Sequence, residues 1–196
     1  MNLLDKFHNW RRKLRWNKQY RKGRWDNLRN PIEAERYQTI INFIKSYGKA
    51  QPSILDLGAG EGVLNEYITP EVFSYFLGMD FSAVSIQKAK TKNFPKAEFV
   101  TADIHNYTPK QKFDVIIFNE AFYYVHESEK QNVLDRMLAH LTDDGVLIVS
   151  IYREGIGCWE YFDKLKQLDF TTVKTDEEKT YWKIGAYKLQ MLNARF

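Results

Sequence analysis

The chain has 196 residues, enough for one sizeable core and too few for two ordinary enzymatic domains. Hydrophobic residues make up 44% and charged residues 28%, which excludes a long disordered chain. The single cysteine, Cys158, excludes an internal disulfide framework and a cysteine-based zinc site, and the formal charge of +4 hides an asymmetry.

Residues 1–30 carry ten Lys and Arg against Asp5 and Asp26, a net of +8, on a body that is mildly acidic at −4. The spacing of Leu3, Phe7, Trp10 and Leu14 places them on one face of a helix. Three readings of this arm follow. The stripe packs on the body and the charges face water; or the arm meets a membrane surface or another anionic partner; or it grips nucleic acid. No apolar run reaches the roughly 18 residues of a membrane span, and the start lacks the apolar stretch of a signal peptide. The expectation is a cytoplasmic, soluble protein, with membrane-peripheral attachment as a variant. The arm, 1–30, would act as a lid or grip on a single domain over 31–196.

Pro31 suits the first turn of a helix capped by Asn30, and Ile32, Tyr37, Ile40, Ile41, Ile44 and Tyr47 recur at helical spacing up to Gly48. A strand is predicted over 53–57, then a glycine-rich turn and a helical stretch to 69–70. A second strand follows over 74–80. Ser82 caps a helix to about Lys92, and a third strand runs from Glu98 to Asp103. The run 113–119 (FDVIIFN) reads as a fully buried strand. Helix 128–141, a turn at 143–145 and strand 145–152 come next. Residues 160–168 read as helical, and 171–174 and 181–189 as two strands joined by a polar run.

Alternating strands and helices with continuously apolar strands predict an α/β architecture: a Rossmann-like, doubly wound, mostly parallel seven-stranded sheet with an antiparallel C-terminal hairpin strand. Ligands of such sheets sit at the carboxyl ends of the strands. That directs attention to 56–62, Asp80, Asp103 and Asn119.

The sequence ILDLGAGEG, 54–62, runs from a strand through glycines into a helix, whose free N–H groups suit a polar ligand. Val63 stands where a dinucleotide fingerprint needs glycine, and nothing fits a phosphate-binding P-loop. Asp80, 22 residues after Gly58, can accept from a ribose diol. Asp103 followed by Ile104 suits the edge and face of an adenine.

These segments, with GMDFS (78–82), TADI (101–104), FDVIIFNEAFYYV (113–125) and LAHLTDDGVLIVS (138–150), make the chain similar to class I S-adenosylmethionine-dependent methyltransferases. The resemblance implies S-adenosylmethionine as cofactor and S-adenosylhomocysteine as product. It implies that Asp56 and the backbone of Gly58, Ala59 and Gly60 hold the methionine end. Asp80 would bind the ribose, Phe81 would stack near the adenine, and Asp103 with Ile104 would grip the ring. Asn119 would contact the amino-acid end through its backbone, and Tyr37 would close over the methionine carboxylate.

The stretch Glu120-Ala121-Phe122-Tyr123-Tyr124-Val125 resembles nodulation-type chitooligosaccharide N-methyltransferases, as does Trp25…Glu33…Arg36-Tyr37. This implies a small-molecule acceptor, such as a sugar or its lipid- or nucleotide-linked form. Glu120 and His126 are the candidate bases, and Tyr123 and Tyr124 a candidate aromatic wall for the acceptor. No metal is expected. The rival readings are an RNA methyltransferase using the basic arm, and a cofactor-binding interaction module without transfer.

Overall fold

The computed structural model describes the backbone of residues 3–190 and the side chains of 8–190. Seven strands form one sheet in the order β3-β2-β1-β4-β5-β7-β6. They are β1 (Ser53–Leu57), β2 (Tyr75–Asp80), β3 (Ala97–Thr101), β4 (Phe113–Asn119), β5 (Leu141–Tyr152), β6 (Lys166–Lys174) and β7 (Tyr181–Lys188). The first five pair in parallel, and β7 is antiparallel to both β5 and β6. This is the doubly wound sheet with a reversed strand expected from the sequence.

Side chains alternate across the central strands, so each strand feeds two cores. Ile54, Val115, Ile117 and Ile148 point into a core shared with α2 (Pro31–Tyr47), α3 (Val63–Tyr67) and α4 (Ala83–Thr91). Leu55, Ile116, Phe118 and Val149 point into the opposite core, closed by α5 (Lys130–Leu138) through Val133, Leu134 and Met137. The run Phe113–Asn119 is buried throughout because it lies at the centre with helices on both faces. Pro31 opens α2 and Gly48 closes it, its N–H bonded to the Ile44 carbonyl. Ser82 caps α4 by accepting from the Ser85 N–H.

Four expectations are corrected. The third strand stops at Thr101, so Asp103 lies in the loop beyond it. The predicted turn at 143–145 lies inside β5 as an irregularity, where pairing jumps from Phe113↔Leu141 to Val115↔Val146. The predicted helix at 160–168 is only a short turn, Trp159–Phe162, and β6 starts at Lys166. There, pairing along β7 from Lys188 to Tyr181 overrides a weak local helical pattern.

The fourth concerns the arm. Its residues form α1 (Leu3–Arg21), as expected, but Trp10 and Leu14 are 55% and 49% exposed. Of that stripe, Trp10 and Leu14 are therefore largely exposed; the side chains of Leu3 and Phe7 lie outside those described. The inward face is instead Asn9, Arg12, Trp16, Asn17 and Tyr20, at the spacing of one helical face. No helix among the described residues is long and apolar enough to cross a membrane.

Candidate functional site

A cavity of about 530 Å³ opens at the carboxyl edge of the parallel strands. Its floor is the turn between β1 and α3. Gly58 and Gly60 adopt left-handed backbone, with φ of 84° and 57°. A Cβ on Gly58 would stand 2.8 Å from the Ala121 Cβ, so only glycine lets this turn lie against the loop after β4. The N–H groups of Gly58 and Ala59 both donate to the Met79 carbonyl, at 2.8 and 3.0 Å, which pins the turn to β2.

One wall is acidic. Asp80 ends β2 and is nearly buried; its oxygens accept from the Ser82 N–H at 2.7 Å and the Gly60 N–H at 3.1 Å. Burial pushes its carboxyl up to about 6, against the pull of those two bonds. Asp103 accepts from the His105 N–H at 3.0 Å and from His105 Nδ1 at 2.7 Å, and from the Asn9 amide of α1. Burial raises its carboxyl, but these bonds win and hold it below the usual range. The His126 N–H donates to His105 Nε2, so His105 carries its proton on Nδ1. Ile104 and Phe81 line the same end.

The opposite wall is built on Arg36. It is 1% exposed, although an arginine is seldom buried without partners. Its Nη1 donates to Asn119 Oδ1 at 2.6 Å, and its Nε and Nη2 reach Glu33 Oε2 at 3.0 and 2.9 Å. The guanidinium stacks 4.1 Å from the Tyr37 ring centre and 5.5 Å from that of Trp182. Tyr37 in turn stacks on Tyr67 at 4.9 Å. Beneath the glycine turn, Asp56 is fully buried and neither carboxylate oxygen has a hydrogen-bond partner. Burial pushes its carboxyl up to about 7, with the Asn119 side chain and the Arg36 charge acting the other way.

Beyond β4 the wall turns aromatic. Glu120 sits at φ 55°, a strained conformation for a side-chain-bearing residue and one that marks functional loops. Its carboxylate accepts from the Ser150 hydroxyl at 2.7 Å and the Tyr123 hydroxyl at 3.0 Å, which fixes its direction. The Tyr123 and Tyr124 rings lie 4.4 Å apart. Trp16 of α1 meets Tyr124 edge-on at 4.9 Å and Phe81 at 5.5 Å, and stacks on Trp25 at 4.7 Å. Arg12 donates to the Tyr124 carbonyl at 2.6 Å, Ser82 Oγ donates to Asn17 Oδ1 at 2.7 Å, and Lys88 Nζ donates to the Tyr20 carbonyl at 2.8 Å. The basic arm is thus the roof of the cavity.

The structure brings Tyr37, Gly58, Ala59, Gly60, Asp80, Phe81, Asp103, Ile104, Asn119, Glu120, Tyr123 and Tyr124 to this one cavity. Two expected residues stand elsewhere. Asp56 lies beneath the turn, not on the cavity wall. His126 caps the turn Glu127–Glu129 by accepting from the Ser128 N–H, and does not line the cavity. Its Nδ1 is committed there because the chain reverses at that point into α5. Sequence reasoning missed Glu33 and Arg36 as wall residues, and Trp16 and Tyr20 as aromatic lining; Trp182, which the sequence left between the hairpin core and the acceptor rim, also lines the cavity. The available signal was an arginine at position 36 beside the apolar positions 37, 40, 41 and 44 of α2.

Residues 28–187 match a family model described as a methyltransferase domain. The chain is 26% identical over 120 residues to malonyl-[acyl-carrier protein] O-methyltransferase 2 of Ilyobacter polytropus, covering 60% of this chain and 45% of that one. It spans about half the length of the curated relatives it matches. The crystal structure of N-methyltransferase NodS from Bradyrhizobium japonicum WM9 in complex with S-adenosyl-l-homocysteine aligns with a TM-score of 0.71 at 18% identity. That alignment covers 85% of this chain and 91% of that one. The Burkholderia thailandensis 1,6-didemethyltoxoflavin-N1-methyltransferase aligns at 0.75 and 16% identity, covering 93% and 89%.

Proposed function

The chain belongs to the methyltransferase-domain family, and on that premise we propose that it is an S-adenosylmethionine-dependent methyltransferase acting on nitrogen or oxygen of a small polar acceptor. The observation that carries this is the sequence of groups around one cavity. Acids suited to adenine and ribose stand at one end, a glycine cradle in the middle, and a buried arginine and a fixed carboxylate at the other.

The residues fit the cofactor. Asp103 and Asp80 keep acceptor lone pairs beyond the bonds they already make. Arg36 provides a buried cation for a carboxylate. The buried Asp56 carboxyl, protonated in the ligand-free fold below about pH 7, would give up its proton to balance an ammonium bound above the turn. When bound, S-adenosylmethionine supplies a methyl group already activated on a sulfonium. The chain then has to hold an acceptor in line and exclude water, which proximity alone rewards greatly. Trp16, Tyr123 and Tyr124 exclude water, and Glu120 accepts a hydrogen bond, or a proton, from the acceptor's amine or hydroxyl. The similarities to proteins named for malonyl-carrier, toxoflavin-precursor and nodulation chemistry support a small-molecule acceptor. The aromatic wall beside Glu120 favours one with a flat or ring-shaped face, such as a sugar.

Calorimetric titration with S-adenosylhomocysteine, with NADH as comparison, tests the reading. Micromolar binding of the first alone is expected. Silence toward S-adenosylhomocysteine overturns it. With labelled cofactor and a panel of amino sugars and alcohols, Glu120→Gln should keep S-adenosylhomocysteine affinity and lose on the order of a hundredfold or more in transfer. Equal transfer removes Glu120 from the chemistry.

A further inference from the structure

We propose that the outward face of α1 is an interfacial anchor that seats the mouth of the cavity on an anionic lipid bilayer. The helix has two faces with different business. Asn9, Arg12, Trp16, Asn17 and Tyr20 are spent on the body. Beyond that face Leu14 is 49% exposed, and Trp10, at the rim of a cleft shared with Asp103, His105 and Glu129, is 55% exposed; Arg11, Arg15, Lys18, Arg21 and Lys22 are exposed around them. At 100° per residue, positions 10, 14 and 21 fall together, and 11, 15, 18 and 22 fall beside them. Exposed apolar side chains set among cations on one side of a helix match a helix lying in a membrane interface.

A second observation is independent of that helix. The loop after β5 carries Ile156, which is 93% exposed, between Gly155 and Gly157, both in left-handed backbone. Ser150 of β5 pairs with Asn119 of β4, so this loop leaves the sheet at the edge where the cavity opens. The α1 roof lies over that same edge, tied to Tyr124 and Ser82. Leu189, by contrast, follows β7 at the opposite edge, and Phe170 packs against Trp159 at 4.9 Å. Exposed apolar side chains therefore gather on the side of the mouth, where cations also concentrate.

The chemistry selects lipid over nucleic acid. Phosphodiesters alone would reward the cations but leave exposed Leu14 and Ile156 unexplained. The rings best placed to stack on bases, Trp16 and Trp25, face the cavity and each other. A bilayer rewards both sets, with tryptophan favoured at the headgroup level and each cation near an anionic leaflet contributing roughly fivefold in partitioning.

The full chain is floated with vesicles of phosphatidylcholine alone and of phosphatidylcholine mixed with phosphatidylglycerol. Flotation with the anionic vesicles only is expected. Combining Arg15→Gln, Lys18→Gln and Lys22→Gln should lower partitioning on the order of a hundredfold. Combining Trp10→Gln, Leu14→Gln and Ile156→Gln should also lower it and make the residue of binding more sensitive to salt. S-adenosylhomocysteine titration of each variant serves as the control for folding, and it separates the two readings: a wild-type chain that floats without binding that ligand keeps the anchor and loses the methyltransferase. Absence of flotation overturns the anchor. So does an apolar triple variant that floats like wild type, or retention of duplex RNA by the same cations with no vesicle binding.

Discussion

Asp56, beneath the glycine turn, and Asp80, on the cavity wall, are buried carboxyls pushed up to about 7 and about 6 by burial. An unfolded aspartate titrates near pH 4. Between that value and the folded one, the native state holds protons that the unfolded chain has released. The stability this supplies is complete below about pH 4, falls as pH rises, and is gone above about pH 7. For Asp56 the shift of roughly three units corresponds to on the order of 4 kcal/mol. Urea unfolding of the ligand-free chain should therefore show lower stability at pH 7.5 than at pH 5. Asp56→Asn, which keeps the shape and removes the charge, should flatten most of that slope and leave the smaller part due to Asp80. A variant with the wild-type slope would mean that Asp56 is ionised in the fold. Asp80 and Gly58 were legible in the sequence because an acid or a glycine at a strand end is unusual in an apolar run. Arg36 was not, because its role depends on Asn119, 83 positions away in sequence, and on Tyr37 offering a ring face.

Helix α1 shows what spacing can and cannot say. An apolar stripe was legible at 3, 7, 10 and 14, and so was a basic helix. Which face docks was not, because the docking face is polar and aromatic: its partners are Asp103, Ser82 and the Tyr124 carbonyl, all fixed by other elements. Only the second half of β6, 171–174, was legible as strand. Its start at Lys166 takes its strand character from β7, whereas residues 160–168 alone read as helix. The roof makes a specific demand. Asn9 contacts the acid assigned to adenine and Trp16 covers Phe81 beside it. Combining Asn9→Ala and Trp16→Ala should weaken S-adenosylhomocysteine binding about tenfold, roughly 1.4 kcal/mol, measured by calorimetry at constant salt. Unchanged affinity would confine α1 to the acceptor side of the cavity.

At the scale of the molecule, the fold was legible because the apolar runs of β1, β2, β4 and β5 are separated by helical segments, and such strands bury only in a sheet covered on both faces. The same layout divides the molecule by stability. β1, β4 and β5 sit at the centre between two apolar cores, so they open only with global unfolding. α1 is held through side-chain hydrogen bonds, aromatic edges and few buried apolar groups, Tyr20 being its one buried hydrophobic residue among those described. It therefore opens at a lower free energy than the sheet it covers, and the site it roofs can exchange ligands without disturbing the core. Amide exchange of the ligand-free chain should show α1 exchanging well before β4. S-adenosylhomocysteine at about a hundred times its dissociation constant should slow the sheet by the linkage amount, roughly 2.7 kcal/mol. It should slow α1 through direct contact, closing the gap between the two. Equal protection of α1 and β4 without ligand would make the roof part of the cooperative core, and ligand entry would then require a route other than the lifting of α1.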